Sequence, residues 1–337
     1  MVEPKGVMDM QSRRGWTVRV LGLIGCLLGA AVPSQAQGTD AFPNKPVRIV
    51  IPTAPGGNLD ILARLVAEKL SATWGQQVIV ESKAGANTVL ATTAVAKSPA
   101  DGYIALFTIS GFVQNLVLRS DTPYKASDLA PVSLVASFPI AMAANSSLSA
   151  NNLSELVALA KQKPGSLSFG SYGVGSGAHI IGEGLNKAAG IEITHVPYKG
   201  EAASFPDLVS GQIQLAWGSV GFYARQLSTG KVKLIAVASP KRLKDFPSVP
   251  TLSEAGFADV NLAGWGGMFL PAGTPAAVVD KWSQEVRRIT NLPDVQKKIY
   301  EMGFEPIGNS PGEFSQVIAS DLQKWGAVVR ANNIKAE

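Results

Sequence analysis

Cysteine and histidine are scarce in this chain. Among 337 residues there is one cysteine, Cys26, and there are two histidines, His179 and His195. Cys26 lies in an N-terminal segment that is predicted to be removed, so disulfide bonds, thiol catalysis and cysteine-ligated metals are excluded for the rest. The histidines stand far apart in sequence, without a cluster of acidic residues at ligand spacing, so the pattern does not favour zinc.

Long apolar runs are also missing. The stretch from Val18 to Val32 is too short and too rich in glycine to span a membrane. Arginines precede or enter it, and Ser34-Gln35-Ala36 then offers small residues at the two positions that a signal peptidase reads. We therefore predict that residues 1–36 are an export signal and take no part in the fold.

A second interpretation of this segment stays open. Leu23-Ile24-Gly25-Cys26 resembles a lipoprotein cleavage box, in which Cys26 would carry a lipid anchor. Cleavage there would leave a very short apolar region before the cut, and a good peptidase site follows later. Mass spectrometry of the exported protein would find either a diacylglyceryl Cys26 or a free N-terminus near Gln37.

An excess of charge of either sign is missing as well. Without residues 1–36, the chain keeps 26 basic and 23 acidic residues, a net charge near +3. The basic residues are scattered and not interleaved with aromatic residues, so we expect no nucleic-acid partner. The weakly positive balance is compatible with a small anionic ligand. About 300 residues are enough for two domains without disulfides.

The segment from Val47 to Leu70 is the most informative part of the chain. Val47 to Ile51 predicts a buried strand, and Pro52 to Asn58 is a proline- and glycine-rich turn. Asn58 is predicted to cap a helix from Leu59 to Ser71. A strand, a glycine turn and a helix start together place free backbone N–H groups around one point, where an anion is attracted. The alternative is an ordinary connecting loop whose glycines only make the turn.

A second glycine loop runs from Gly170 to Gly177, again between a predicted strand and a helix. Part of it fits the dinucleotide-binding fingerprint, with alanine in the third glycine position. No acidic residue stands at the expected ribose position, and export argues against a nicotinamide, so we expect no cofactor. Neither Ser171 nor Ser176 has the flanking glycines of a nucleophile elbow. The scarcity of acid–base residues favours binding over catalysis.

Strands and helices alternate along the remaining chain, which predicts α/β layers with mostly parallel sheets. Six motifs stand in order along it: Pro52 to Asp60, Lys97 to Tyr103, Phe169 to His179, Val196 to Gly200, Phe246 to Gly256 and Leu270 to Pro275. Together they resemble the Bug proteins, the periplasmic substrate-binding components of tripartite tricarboxylate transporters. The resemblance covers roughly Phe42 to Trp325.

The resemblance implies a two-lobed periplasmic binding protein of type II, which closes on a small carboxylate. Each lobe is expected to hold a mostly parallel sheet flanked by helices. Lobe one is placed at 41–143 plus 266–337 and lobe two at 144–265, with hinges near Ile140 to Ala144 and Leu262 to Trp265. A third connection between the lobes is left open.

Site residues carried over from the resemblance lie on both lobes, where loops would hold the carboxylate largely through backbone N–H groups and hydroxyls. Lobe one would contribute Ala54, Gly56, Gly57, Asp60, Asn87, Thr88 and Ser110. Lobe two would contribute Ser171, Gly175, Ser176, His179, Tyr198, Lys199 and Gly200. Lys199 has the alternative of an ordinary surface lysine. No catalytic residue and no metal ligand is expected.

The sequence departs from the family after the strand that ends at Trp217, where an acidic residue or asparagine often stands. Here Gly218 and Ser219 follow. Trp217, with Phe222 and Phe112, suggests a ligand with an apolar or aromatic body, and the alternative is that Trp217 packs in the lobe core. By resemblance the partners are a small organic carboxylate and the membrane subunits of a transporter, and we expect a monomer. An exported sensor that docks on a receptor is the other open role, and a dinucleotide-dependent enzyme is a weaker one.

Overall fold

A computed structural model describes residues 42–334 of the chain. The predicted export signal and Cys26 lie outside these residues. Across the described range, none of the helices combines the length and the apolar character that a membrane crossing requires. Two mixed β-sheets with helices on their faces make up the structure, which is the α/β architecture expected from the alternating sequence pattern.

The first sheet has six strands. They are β1 (Val47–Ile51), β2 (Val78–Ser82), β3 (Ile104–Ile109), β4 (Leu129–Phe138), β10 (Gly264–Pro271) and β11 (Glu305–Pro306). Their order across the sheet is β11-β4-β10-β3-β1-β2. Strand β1 is parallel to both neighbours, whereas β10 is antiparallel to β3 and β4. The β1 residues from Ile49 to Ile51 are buried, as their apolar run predicts.

The second sheet has five strands. They are β5 (Ile140–Asn145), β6 (Leu167–Ser171), β7 (Ile193–Pro197), β8 (Leu215–Ser219) and β9 (Val232–Ala238). Their order is β7-β6-β8-β5-β9. Strands β7, β6 and β8 are mutually parallel, and β5 runs against β8 and β9. Four of the six strands in the first sheet and four of the five in the second therefore point the same way, and the antiparallel pairs are those of β10, β11 and β5.

Ten α-helices flank the sheets in the described residues. They are α1 (Asn58–Trp74), α2 (Val89–Ala96), α3 (Gly111–Leu118), α4 (Leu153–Gln162), α5 (Gly177–Ala189), α6 (Glu201–Ser210), α7 (Val220–Leu227), α8 (Ala276–Thr290), α9 (Pro293–Glu301) and α10 (Pro311–Ala331). Local sequence sets several of their ends. Helix α10 begins with a capping box between Ser310 and Glu313, and Gly75 ends α1 in a left-handed conformation.

The chain passes between the sheets at two strand connections. After β4 it turns at Pro139 directly into β5, so residues from Ile140 onward belong to the second sheet. The return falls before Gly264, where β10 begins. The predicted division at 143 and 265 stands close to these changes of sheet, and the exact lobe boundaries stay a prediction.

Helix α10 contacts both halves of the molecule. At its start, the backbone carbonyl of Asn309 accepts a hydrogen bond from Ser133 of the first sheet at 2.7 Å. Near its end, Val328 lies against Gly184 on α5: a Cβ added to that glycine would stand 2.8 Å from the valine side chain. The C-terminal segment thus contacts both halves of the molecule, and a third connection between the lobes stays a prediction.

Two local predictions need correction. Asn58 does not cap α1, because the N-cap position is Gly57 and no side chain caps the helix there. The predicted hinge segment from Leu262 to Trp265 becomes a strand only from Gly264, where β10 begins.

Candidate functional site

The sheet topology brings the predicted loops to one edge of each sheet. Parallel strands β1, β2 and β3 end together, and so do β6, β7 and β8. Ile109 at the end of β3 pairs with Gly266, and Ser219 at the end of β8 pairs with Ile140, so both edges lie beside the strand connections. The carboxyl ends of parallel strands are where α/β folds bind ligands. We call the region between the two edges the cleft.

The loop after β1 is held in shape by Asp60. One carboxylate oxygen accepts the backbone N–H of Gly56 at 2.9 Å, and the Arg64 guanidinium donates to the same oxygen at 3.0 Å. The hydrogen bond from Arg64 holds the pKa of Asp60 below its usual value, against the opposing effect of burial. Asp60 is 3 % exposed and organises the loop from inside, and its contact with a ligand stays a prediction.

The N–H groups of this loop are therefore not all available. Gly56 donates to Asp60, whereas Ala54 and Gly57 stand in the exposed part of the turn. A helix start with an exposed glycine turn before it keeps the partial positive charge that an anion needs. Ala54 and Gly57 are the donors that we retain for lobe one.

The loop after β2 contains three consecutive non-glycine residues with positive φ. They are Ala86, Asn87 and Thr88, with φ of 47°, 44° and 80°. Such conformations cost energy and persist only where neighbours impose them. Asn115 on α3 does so here, since its side-chain amide donates to the Asn87 carbonyl and to Thr88 Oγ1. Strained backbone of this kind concentrates at binding sites.

Three of the lobe-one candidates are placed differently by this arrangement. Asn87 is exposed at the edge, whereas Thr88 is buried and occupied with Asn115. Ser110 is also buried, with its Oγ 3.5 Å from the Gln114 amide nitrogen. Of the three, only Asn87 offers an exposed side chain.

The loop after β6 is closed by its own side chains. Ser176 is the N-cap of α5: its Oγ accepts from the His179 backbone N–H and donates to the Gly173 carbonyl at 2.6 Å. Ser171 Oγ hydrogen-bonds to Nε2 of His195 at 2.7 Å. The N–H groups of Gly173 and Gly175 are also bonded within the loop, to Ser171 Oγ and to Nδ1 of His179. The hydroxyls and part of the N–H groups before this helix of 13 residues are therefore already paired.

The two histidines, far apart in sequence, stack on each other. The ring centroids of His179 and His195 are 4.0 Å apart with an angle of 11° between the planes, and Phe169 stacks on the other side of His195. Burial lowers the pKa of both rings, and His179 lowers that of His195 further, to about 4. Both rings are neutral at pH 7.

Glu183 lies beside these rings, and one ligand atom from each of the three residues falls within 4.8 Å of the others. No pattern in the sequence indicates this proximity. The Gly175 N–H donates to Nδ1 of His179 at 3.0 Å, so the neutral ring carries its proton on Nε2. A cation would have to break that bond to reach a nitrogen lone pair. The expectation of no metal stays a prediction.

The Tyr198 to Gly200 turn follows β7 at the same edge. The Tyr198 hydroxyl donates to Asp207 at 2.7 Å, and burial, together with that carboxylate, raises the pKa of Tyr198 to about 12. Lys199 is exposed and Gly200, with φ of 112°, is the N-cap of α6. The turn thus offers backbone N–H groups and one mobile ammonium group to the cleft.

Trp217 packs in the core and offers no surface to a ligand. It is 1 % exposed and belongs to the same apolar cluster as Leu215. Phe112 is fully buried as well, stacked on Tyr124. Trp217 is therefore a core residue, which was the alternative interpretation. Of the three aromatic residues that suggested an aromatic ligand, Trp217 and Phe112 are buried. Phe222 remains partly exposed.

Glu201 is a cleft residue that the sequence analysis did not select. Its Oε2 accepts from both the N–H and the Oγ of Ser219, each at 2.8 Å. Burial raises the pKa of Glu201, while these hydrogen bonds and the nearby Arg225 oppose the shift. An acidic residue in the first turn of a helix is ordinary in sequence, so only the tertiary contact with Ser219 distinguishes this one.

The lobes touch each other on one side of the cleft. A Cβ added to Gly177 would lie 3.1 Å from the Gln114 amide nitrogen and 3.2 Å from Ile140. A Cβ on Gly175 would lie 3.1 Å from Leu118. The start of α5 thus packs directly on α3, and glycines are needed for this close approach.

A separate cavity of about 460 Å³ lies between the start of α7 and the segment after α9. Val220, Gly221 and Arg225 line it on one side, and Tyr300 and Phe304 on the other. None of the predicted site residues lines this cavity. A Cβ on Gly221 would meet the Met302 carbonyl at 2.1 Å, so backbone touches backbone at its edge.

Comparison of the sequence with known proteins gives a consistent result. Residues 62–334 match the model of a family described as the tripartite tricarboxylate transporter family receptor. Protein BugT of Bordetella pertussis is 31% identical over 320 residues, which cover 94% of this chain and 98% of BugT. A UPF0065 protein from the tcbD-tcbE intergenic region of Pseudomonas sp. strain P51 is 32% identical over 310 residues, 91% of this chain and 92% of that protein.

Solved structures with the same fold include ligand complexes. The periplasmic binding protein BugD is 31% identical, with a TM-score of 0.74 over 88% of this chain and all of BugD. Rpa4515 of R. palustris, solved with adipate, is 31% identical, with a TM-score of 0.76 over 87% of this chain and 99% of its own. MatC from Rhodopseudomonas palustris, with bound malate, is 29% identical, with a TM-score of 0.72 over 86% of this chain and all of MatC.

Proposed function

Because the chain belongs to the tripartite tricarboxylate transporter receptor family, we propose that it captures a small aliphatic carboxylate in the cleft and delivers it to a membrane transporter. The family consists of solute-binding proteins, and the structural relatives are periplasmic binding proteins, which indicates a periplasmic location. Capture without chemical change, action as a monomer and delivery to membrane subunits are the further parts of the proposal.

The observation that carries the proposal is the arrangement of helix starts around the cleft. Glycine-rich turns precede α1, α5 and α6 at the two facing sheet edges. Each helix start contributes a partial positive charge, so a carboxylate is stabilised there without a buried ion pair. The adipate and malate complexes of the two relatives are dicarboxylate complexes, which supports the same ligand class here.

An aliphatic ligand is favoured over an aromatic one. The two rings that suggested an aromatic body, Trp217 and Phe112, are buried in the core. Isothermal titration should therefore show binding of malate, adipate, citrate or aspartate, and no binding of benzoate under the same conditions. Tight binding of benzoate with none of the aliphatic acids would overturn this choice of ligand class.

Two further measurements test the remaining parts. Mass spectrometry of the acid recovered after long incubation with the protein should return it unchanged, and a chemically altered acid would contradict a pure binding role. Crosslinking in cells grown on the bound acid should capture membrane subunits of a permease. Capture of a sensor receptor in their place would support the alternative role of an exported sensor.

A further inference from the structure

A single carboxylate interrupts the otherwise anion-attracting side of lobe two. Glu201 opens α6 directly after the Tyr198 to Gly200 turn, and its carboxylate lies at the end of β8. The segments on both sides are ones that the proposed function assigns to ligand binding. A negative charge at this place repels a ligand that carries only carboxylates. The carboxylate of Glu201 therefore suggests that the ligand also carries a hydrogen-bond donor.

One oxygen of this carboxylate is already satisfied. Ser219 donates both its N–H and its Oγ–H to Oε2, each at 2.8 Å. Within residues 42–334, no group donates a hydrogen bond to Oε1. This atom is not completely buried either, so a ligand group can reach it. Oε1 is therefore a fixed acceptor with room for one more donor.

Gly218 makes the space for this carboxylate. A Cβ added at position 218 would lie 2.9 Å from Glu201 Oε2 and 2.9 Å from the Tyr223 ring. The glycine after Trp217 stands where relatives often have an acidic residue or asparagine. Here its lack of a side chain leaves room for the carboxylate of Glu201, which reaches this place from α6. Two tyrosines also lie near Glu201. Burial is the main cause that raises the pKa of Tyr172 and Tyr223, and the charge of Glu201 is the second cause for both.

We propose that Glu201 determines ligand specificity by accepting a hydrogen bond from a hydroxyl or ammonium group that stands beside the ligand's carboxylate. The inference rests on the proposed function and adds the substituent that the cleft selects. Helix starts bind the carboxylate, and Oε1 of Glu201 binds the donor on the neighbouring carbon. If a ligand lacks that donor, the negative charge of Glu201 repels the negative charge of the ligand and the affinity is lower.

Three acids with the same four-carbon skeleton test this. Malate carries a hydroxyl, aspartate carries an ammonium group, and succinate carries neither. Isothermal titration of the full mature protein at pH 7.5 should show malate or aspartate binding at least about tenfold more tightly than succinate, the size expected of a hydrogen bond to a charged group. The better of the two identifies the donor.

Glu201→Gln should reduce this preference about tenfold, mainly because succinate binds more tightly once the charge is gone. The matched control is Glu192→Gln, which removes one exposed carboxylate from the same lobe, before β7 and away from the Glu201 contacts, and should leave the preference unchanged. Gly218→Ala is a second variant that keeps the charge but displaces Oε2, and it should weaken the preference too. Circular dichroism confirms that each variant is folded.

The outcomes separate the two proposals. Equal binding of all three acids by the unaltered protein, or an unchanged preference in both Glu201→Gln and Gly218→Ala, overturns the role of Glu201 and leaves the proposed function standing. If only longer acids bind, adipate takes the place of succinate and 2-hydroxyadipate that of malate, and the same criteria apply. If no organic acid binds at all, the proposed function fails and the inference fails with it.

Discussion

Asp60 shows how one buried side chain can hold the shape of a glycine-rich loop. It accepts the Gly56 N–H and the Arg64 guanidinium, and it is almost fully buried. From sequence alone it looked like a ligand residue or a helix-start acid. Only the structure shows that its oxygens are directed into the loop, because hydrogen-bond partners depend on backbone geometry that the sequence does not reveal.

We expect Asp60→Asn to lower the free energy of unfolding by about 1 kcal/mol at pH 7, a modest value because Arg64 is half exposed. The pKa of Asp60 is lowered in the folded protein, so the stabilisation is present above roughly pH 4 and is lost as the pH falls through the lowered value. Urea unfolding at several pH values measures this. Asp294→Asn, in an exposed ion pair with Lys69, is the control and should change little. A deficit that stays the same in acid would contradict the assignment.

The histidine pair makes stability depend on pH in the same direction as the Asp60 ion pair, but in a higher pH window. The folded pKa of His195 is lowered to about 4, so between its ordinary value near 6.5 and about 4 the unfolded chain binds a proton that the folded protein does not. Stability should therefore fall as the pH drops through this window. Urea unfolding at pH 7 and pH 5 should show a smaller decrease for His195→Gln than for the unaltered protein.

The control for this prediction is Thr194→Gln, which alters an exposed neighbour on the same strand without removing a titrating group. It should show the same decrease between pH 7 and pH 5 as the unaltered protein. An identical decrease for His195→Gln would show that the stacked rings do not cause the dependence. No sequence signal could have revealed the pair, since the stacking requires the β6–β7 register and the first turn of α5 together.

At the scale of elements, the sequence patterns were most reliable where an apolar run and a turn agree. The β1 strand, its glycine turn and the following helix were predicted. The conformation of Ala86 to Thr88 was not, because Asn115, far along the chain, imposes it. Loops were placed correctly at the sheet edges, whereas the hydroxyls of Ser171 and Ser176 turned out to bond within their own loop.

The contact between the start of α7 and the segment after α9 can be tested directly. Gly221 touches the Met302 carbonyl and Gly303, and a methyl group would overlap this backbone. We expect Gly221→Ala to keep the lobes from approaching fully, so affinity for the best-binding acid should fall about tenfold, in line with the usual cost of overpacking. Titration measures this.

Gly312→Ala is the matched control, because a Cβ there meets nothing within 4 Å and the residue also lies in the first turn of a helix. It should bind the acid as the unaltered protein does. Unchanged affinity in Gly221→Ala would show that the α7 contact has no part in closure.

At the scale of the whole molecule, the two sheets and their connections follow from the alternation of strands and helices, which the sequence shows well. The role of α10 does not, because its apolar face could cover either sheet. The buried core confirms the point: one apolar cluster contains Leu106 from the first sheet, Leu215 from the second, and Trp325 from α10.

We expect the lobes to separate in the free protein and to approach when a ligand contacts both. Small-angle scattering should record a smaller radius of gyration on adding the best-binding acid, because only ligand that bridges the lobes favours the closed state. A non-binding acid from the same panel, at equal concentration, is the control. No change with a tightly bound acid would contradict lobe closure.

The position of α10 restricts what that motion can be. Contacts beside Ser133 at one end of the helix and against Gly184 near the other limit how far the two halves can shift without breaking one of them. Filling and emptying would then follow one trajectory between two outlines. A membrane partner could then distinguish the ligand-bound protein from the free protein by the relative position of its two lobes, without contacting the ligand.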